Sequence, residues 1–159
     1  MAHRAIVTLA TALMLCFLVL SQLDQGFFLL HLYKSLIWLA IILMLFYFED
    51  RYAYMLGILA PAVWLLITYA TGLLGGAARQ MARLMHAQRV NNQISLLAGI
   101  TALLAVAMIV LCAIRWRREY AGTGKAASTF VVSLGIVVVY YAILVVWFWH
   151  SIPQAVAGG

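Results

Sequence analysis

Acidic residues are scarce in this chain of 159 residues: Asp and Glu together number four. They are Asp24, Glu49, Asp50 and Glu119, and none falls inside a long apolar run. That excludes a membrane relay of carboxylates of the kind that moves protons in pumps. Proline is limited to Pro61 and Pro153, so apolar helices can run long with few breaks. Cysteine is limited to Cys16 and Cys112. Along their helices these two differ in depth by roughly 15 Å, too far for a disulfide. No Cys-x-x-Cys or haem-attachment spacing occurs. Charged residues make up only 9% of the chain and hydrophobic residues 67%. A soluble domain is about a quarter charged and about half apolar, and one this small leaves much of its surface in water. A water-soluble enzyme, a nucleic-acid-binding domain and a disordered chain are therefore excluded, and the solvent is the lipid bilayer.

What is present is a series of long apolar runs. A spanning helix needs about 20 mostly apolar residues. Five runs qualify: 5–23, 27–48, 52–74, 95–114 and 128–150. They are too long and too continuously apolar for barrel strands. The expected fold is all-α, a polytopic bundle of five transmembrane helices forming a single integral membrane domain over 1–159. The first run, with Arg4 before it and small residues Val19 and Ser21 near its end, also has the outline of a secretory signal peptide. It is read here as a retained span. Asp24-Gln25-Gly26 and Glu49-Asp50-Arg51 are so short that the helices they join must run antiparallel. Gly75-Gly76 is expected to end the third span.

The net charge is +6. Five spans place Arg4, Arg51, Arg115, Arg117, Arg118 and Lys125 on the N-terminal side of the membrane. Arg79, Arg83 and Arg89 fall on the other. The more basic side belongs in the cytoplasm, which puts the N-terminus inside and the C-terminus opposite. Tyr and Trp cluster near both ends of the runs, as expected for two interfacial belts.

The segment 77–91 reads as a short amphipathic helix. At about 100° per residue, Arg79, Arg83, His86 and Arg89 share one face, and Ala77, Met81, Leu84 and Met85 the other. Such a helix lies in the interface with its arginines toward lipid phosphates or a partner. Arg115, Arg117 and Arg118 are candidates for the same kind of headgroup contact.

Within the spans, His31 and Lys34 are the unusual residues. They are three apart and share a helix face. Lys34 lies roughly 10 Å in from Phe27, within reach of a snorkelling lysine. Asp24 is a candidate partner for Lys34. His150 ends the fifth span on the same side as His31, so the two are candidate axial ligands for a haem iron, or one of them for the magnesium of a chlorophyll. The competing reading of His150 is an interfacial anchor within Trp147-Phe148-Trp149-His150. Ser95, Ala98, Gly99, Ala102 and Ala105 recur at spacings of three and four and form a small-residue face for close helix packing. Pro61 is expected to perturb the third helix. Tyr140 and Tyr141 need hydroxyl partners on other helices.

The turn around Gly124-Lys125 is not a phosphate loop: Glu119 stands where the first glycine belongs and Ala126 where Ser or Thr belongs. No acid, base, nucleophile and metal set can be assembled. The functional expectation is a small accessory subunit of a larger membrane complex, of respiratory or photosynthetic type, packed against other membrane subunits. The alternatives are a haem- or chlorophyll-binding protein using His31 and His150, and a small transporter or lipid-handling protein. The last of these predicts a polar cavity between helices.

Overall fold

A computed structural model describes residues 2–47, 50–86, 92–120 and 124–148. Helix α1 spans Ala2–Leu23, α2 Phe28–Phe46, α3 Asp50–Ala70, α4 Leu73–Met85, α5 Gln93–Glu119 and α6 Ala126–Phe148. A single 3-10 turn, Gln25–Phe27, leads into α2. There is no strand among the described residues. Five helices, all but α4, are long and apolar enough to cross a membrane, and the protein is an integral multi-pass membrane protein.

Helix α3 is the most enclosed of the five spans. It packs on α2, α5 and α6 and touches α4, while α1 packs on α2 and α5. The sequence of α3 explains its position. Ala53, Gly57, Ala60 and Pro61 are small or compact and are buried, so neighbouring backbones can come close. A Cβ built on Gly57 would stand 2.6 Å from Cys112 Sγ and 3.2 Å from Met108 Cε, both on α5. Helix α3 continues through Pro61. Below it, the hydroxyls of Thr68 and Thr71 donate back to the carbonyls of Trp64 and Ile67 at 2.7 and 2.9 Å.

Several boundaries differ from the sequence expectation. The third span ends at Ala70, not at Gly75-Gly76. Gly72, with φ at 75°, takes the left-handed conformation that glycine adopts without strain, and so turns the chain into α4. Gly75 and Gly76 are helical residues of α4, which starts four residues earlier than the amphipathic pattern suggests. Helix α5 runs on past the predicted end at 114 to Glu119. Its 27 residues exceed the roughly 20 that a bilayer core requires. An Arg115–Glu119 ion pair at 2.6 Å links the last turns.

Helix α6 leans chiefly on α3, with a narrow contact to α2. Both contacts use the tyrosines that needed partners. Tyr141 donates its hydroxyl to the carbonyl of Ala60 at 3.0 Å. Tyr140 and Tyr33 stack with ring centroids 4.6 Å apart. Each of these two donates its hydroxyl to the other's backbone carbonyl, 3.1 Å in the direction from Tyr33. Tyr140→Phe keeps the ring and removes one hydroxyl from carbonyls that retain their helical partners. The expected loss is about 0.6–1.7 kcal/mol, the range for interhelical hydrogen bonds in membranes. Unfolding in mixed micelles by increasing denaturing detergent measures it. A double-mutant cycle with Tyr33→Phe should show coupling, and strict additivity would count against the reciprocal clasp.

Candidate functional site

The C-terminal end of α1, the N-terminal half of α2, the C-terminal end of α3, and the starts of α4 and α5 meet at the membrane face opposite the N-terminus. They enclose a cavity of about 280 Å³. Its apolar wall includes Phe17, Leu20, Leu30 and Trp64. Its polar lining is Asp24, His31, Lys34, Thr68, Asn92 and Ser95. Phe17 packs edge-on against Trp64, at 5.5 Å between centroids, and so stiffens the apolar wall.

The local sequence explains why these groups converge. His31 and Lys34 are one turn apart on α2 and both turn toward the cavity. The tight Asp24 link, stabilised by Phe27 N–H donating to the Asp24 carbonyl at 3.0 Å, folds the carboxylate back over the start of α2. Asp24 Oδ2 lies 3.4 Å from His31 Nε2, so the acid pairs with the histidine and not, as the sequence suggested, with the lysine. The other ring nitrogen of His31, Nδ1, is buried without a hydrogen-bond partner among the described residues. Lys34 has no hydrogen bond or ion pair among them either, although the Asp24 carboxylate is near enough to act on it through space. Asn92 caps α5, its side chain accepting from Ser95 N–H at 3.1 Å, and this fixes the rim on the α5 side.

The small-residue face of α5 is internal. Ser95 and Ala98 line the cavity. Gly99 is buried beneath α4: a Cβ there would meet Met81 Cγ at 2.8 Å. Ala102 packs against the core, and Ala105 is fully buried within it. This face therefore packs inside the bundle, with Gly99 seated against α4. Helix α4 is amphipathic, as expected, but its apolar side divides. Ala77 and Met81 face α5, while Leu84 and Met85 are exposed. Arg79 is exposed and its Nε donates to the Gly75 carbonyl at 3.3 Å. Arg83 is half-buried and His86 caps the helix end. Arg117 and Arg118 are exposed at the far end of α5, and Arg115 is engaged with Glu119. Arg89 and His150 lie outside the described residues, so the proposed pairing of His31 with His150 is not among the observed contacts.

Phe17, Trp64, Thr68 and Asn92 are cavity residues that the sequence reading did not single out. Each has an ordinary role in its own helix, and only the packing brings them to one space. No group of three or more His, Cys, Asp or Glu side chains able to hold a metal occurs among the described residues. Comparison of the chain with family models, with curated proteins and with solved structures gives no match.

Proposed function

We propose that this protein is a small transport or lipid-handling protein of the membrane, and that the chamber around Lys34 is where its ligand is held. The observation that carries the reading is the lysine itself. A charge within a span is costly, and structural membrane lysines are normally matched by a partner or reach the headgroups. Lys34 faces a cavity, with neither a hydrogen bond nor an ion pair among the described residues. The split of basic residues supports an orientation with the N-terminus in the cytoplasm and the chamber on the opposite side.

A second reading, an accessory subunit of a larger complex, draws support from α6. Val131, Val138, Val139, Val146 and Trp147 form an exposed apolar surface on that helix. Lipid would cover the same surface equally well, so this reading rests on less. A haem- or chlorophyll-binding role would draw on His31, whose Nε2 faces Asp24 and leaves Nδ1 for ligation, but no second candidate ligand stands beside it among the described residues.

Substituted-cysteine labelling tests the chamber. In a background of Cys16→Ala and Cys112→Ala, Lys34→Cys should react with a membrane-impermeant maleimide in intact cells. Leu36→Cys, at an exposed apolar position on the same helix, should not. A Lys34→Cys protein as inert as the Leu36→Cys control, in both intact cells and inverted vesicles, would sink the chamber reading. Labelling confined to inverted vesicles would keep the chamber and reverse the orientation.

A further inference from the structure

We infer that the chamber takes a monoanionic amphiphile, with its negative headgroup on Lys34 and its apolar body against Phe17, Leu20, Leu30 and Trp64. The inference rests on the chamber being a ligand site and goes on to name the ligand's chemistry. Three observations lead there.

The first is the sign and number of the free charges. Among the described residues Lys34 is the one lysine or arginine of the lining, and Asp24 the one carboxylate. Asp24 already faces His31, so the charge left without a contact is positive. A cationic ligand would meet the Lys34 ammonium in a lining whose one described carboxylate already faces His31. A multiply charged phosphate usually recruits arginine forks or a row of backbone N–H groups. Among the described residues the lining holds no arginine: Arg79 and Arg83 are on α4, outside it. A single ammonium matches a single negative charge.

The second is the wall. Apart from six polar side chains the cavity surface is aliphatic or aromatic, and water-soluble anions such as acetate or inorganic phosphate gain nothing from that. An acyl chain does. The third is size. At about 280 Å³ the cavity falls at or below the small end of ligand sites, so it accommodates a headgroup and the adjoining part of a chain rather than a whole two-chain lipid. The exposed Arg79 on the neighbouring helix adds a positive field that concentrates anions on this face of the membrane.

The test uses the full chain purified in a neutral maltoside detergent, with intrinsic tryptophan fluorescence as the readout because Trp64 forms part of the wall. Sodium laurate should bind saturably. Dodecyltrimethylammonium, which has the same chain and the opposite charge, should not, and neither should acetate or inorganic phosphate. Lys34→Met should weaken laurate binding by about tenfold or more, as expected for loss of a charge-assisted contact, whereas Lys34→Arg should retain it. Gel filtration shows whether the Lys34→Met protein is still folded. Trp64→Phe should remove the fluorescence change while leaving laurate binding measurable by equilibrium dialysis. Asp24→Asn separates a monoanion from a zwitterion: laurate binding should be kept or tightened, whereas a zwitterionic ligand such as dodecylphosphocholine would need the carboxylate.

Laurate binding that is unchanged in Lys34→Met, or matched by the cationic amphiphile, overturns the proposal. So does preferential binding of dodecylphosphocholine that is lost in Asp24→Asn. The two levels separate cleanly. A labelled Lys34→Cys with no laurate binding removes only the ligand class, whereas an inert Lys34→Cys removes the chamber.

Discussion

Gly57→Leu is expected to prevent the bundle from assembling, and Gly57→Ala to weaken it in a way that a second substitution repairs. A Cβ at position 57 would lie 2.6 Å from Cys112 Sγ, well inside van der Waals contact. Both residues are buried, Cys112 completely, so the sulfur has little room to retreat. Overpacking of this kind costs about 1–3 kcal/mol for one added methyl group and more for a leucine. Against it stands the gain of roughly 1 kcal/mol that alanine brings over glycine inside a helix. The clash outweighs that gain, so Gly57→Ala should lower stability in detergent unfolding. Cys112→Ala removes the sulfur and leaves Cys112 Cβ at an ordinary 3.5 Å and Met108 Cε at 3.2 Å, the far end of a flexible side chain that can shift by the few tenths of an ångström required. The double variant Gly57→Ala/Cys112→Ala should therefore be more stable than Gly57→Ala alone. If the two single losses simply add, the close approach of α3 and α5 at this point is wrong.

Trp38→Ala should cost about 3–5 kcal/mol, the range for deleting a large buried aromatic. Trp38 is 1% exposed and stacks on Phe17, with centroids 6.3 Å apart and an interplanar angle of 10°. Phe17 in turn packs edge-on against Trp64, so one substitution loosens contacts among α1, α2 and α3 together. Within lipid the stabilisation comes from packing and not from removal of apolar surface from water, and a void forfeits those contacts. Trp38→Phe should behave differently. The indole N–H of Trp38 is buried with no hydrogen-bond partner among the described residues, and such a group carries a penalty of its own. Phenylalanine drops that penalty while keeping most of the stack, so its loss should stay below about 1.5 kcal/mol. Thermal unfolding of the three proteins in the same detergent decides the order. Trp38→Phe as damaging as Trp38→Ala would mean that the indole N–H has a partner. Because Phe17 also lines the chamber, laurate binding should weaken in Trp38→Ala more than in Trp38→Phe.

Much of the architecture is readable in the residue order. The five apolar runs became five spanning helices because hydrophobic length is a one-dimensional property. Antiparallel neighbours followed from links too short to do anything else. The hydroxyls of Tyr140 and Tyr141 had to find partners on other helices and did so on Tyr33 and Ala60. Helix ends were less legible. The doublet Gly75-Gly76 looks like a stop, yet the chain turns at Gly72 because that residue alone among the described glycines takes a positive φ. Composition shows where glycine is; the local backbone path decides which one is needed.

The candidate site divides in the same way. His31 and Lys34 stand out in the sequence because charge and imidazole are rare inside a span, and their spacing of three puts them on one face. That Asp24 pairs with His31 and leaves Lys34 facing a cavity depends on how the 3-10 turn at Gln25–Phe27 folds the acid back, which no periodicity encodes. Nor does the sequence show that Phe17, Trp64, Thr68 and Asn92 border the same space, since they come from segments far apart in the chain. The small-residue face of α5 was visible as a pattern, but its partner was not. Small residues allow close approach without specifying what approaches, and the structure assigns Gly99 to Met81 of α4. Residue order alone places this chain in lipid, in five passes, with one lysine where a lysine is costly. That the lysine looks into a chamber follows only from how the helices pack. Hydrophobicity and helical period act along the chain, whereas a cavity is made by side chains that meet only when distant segments come together.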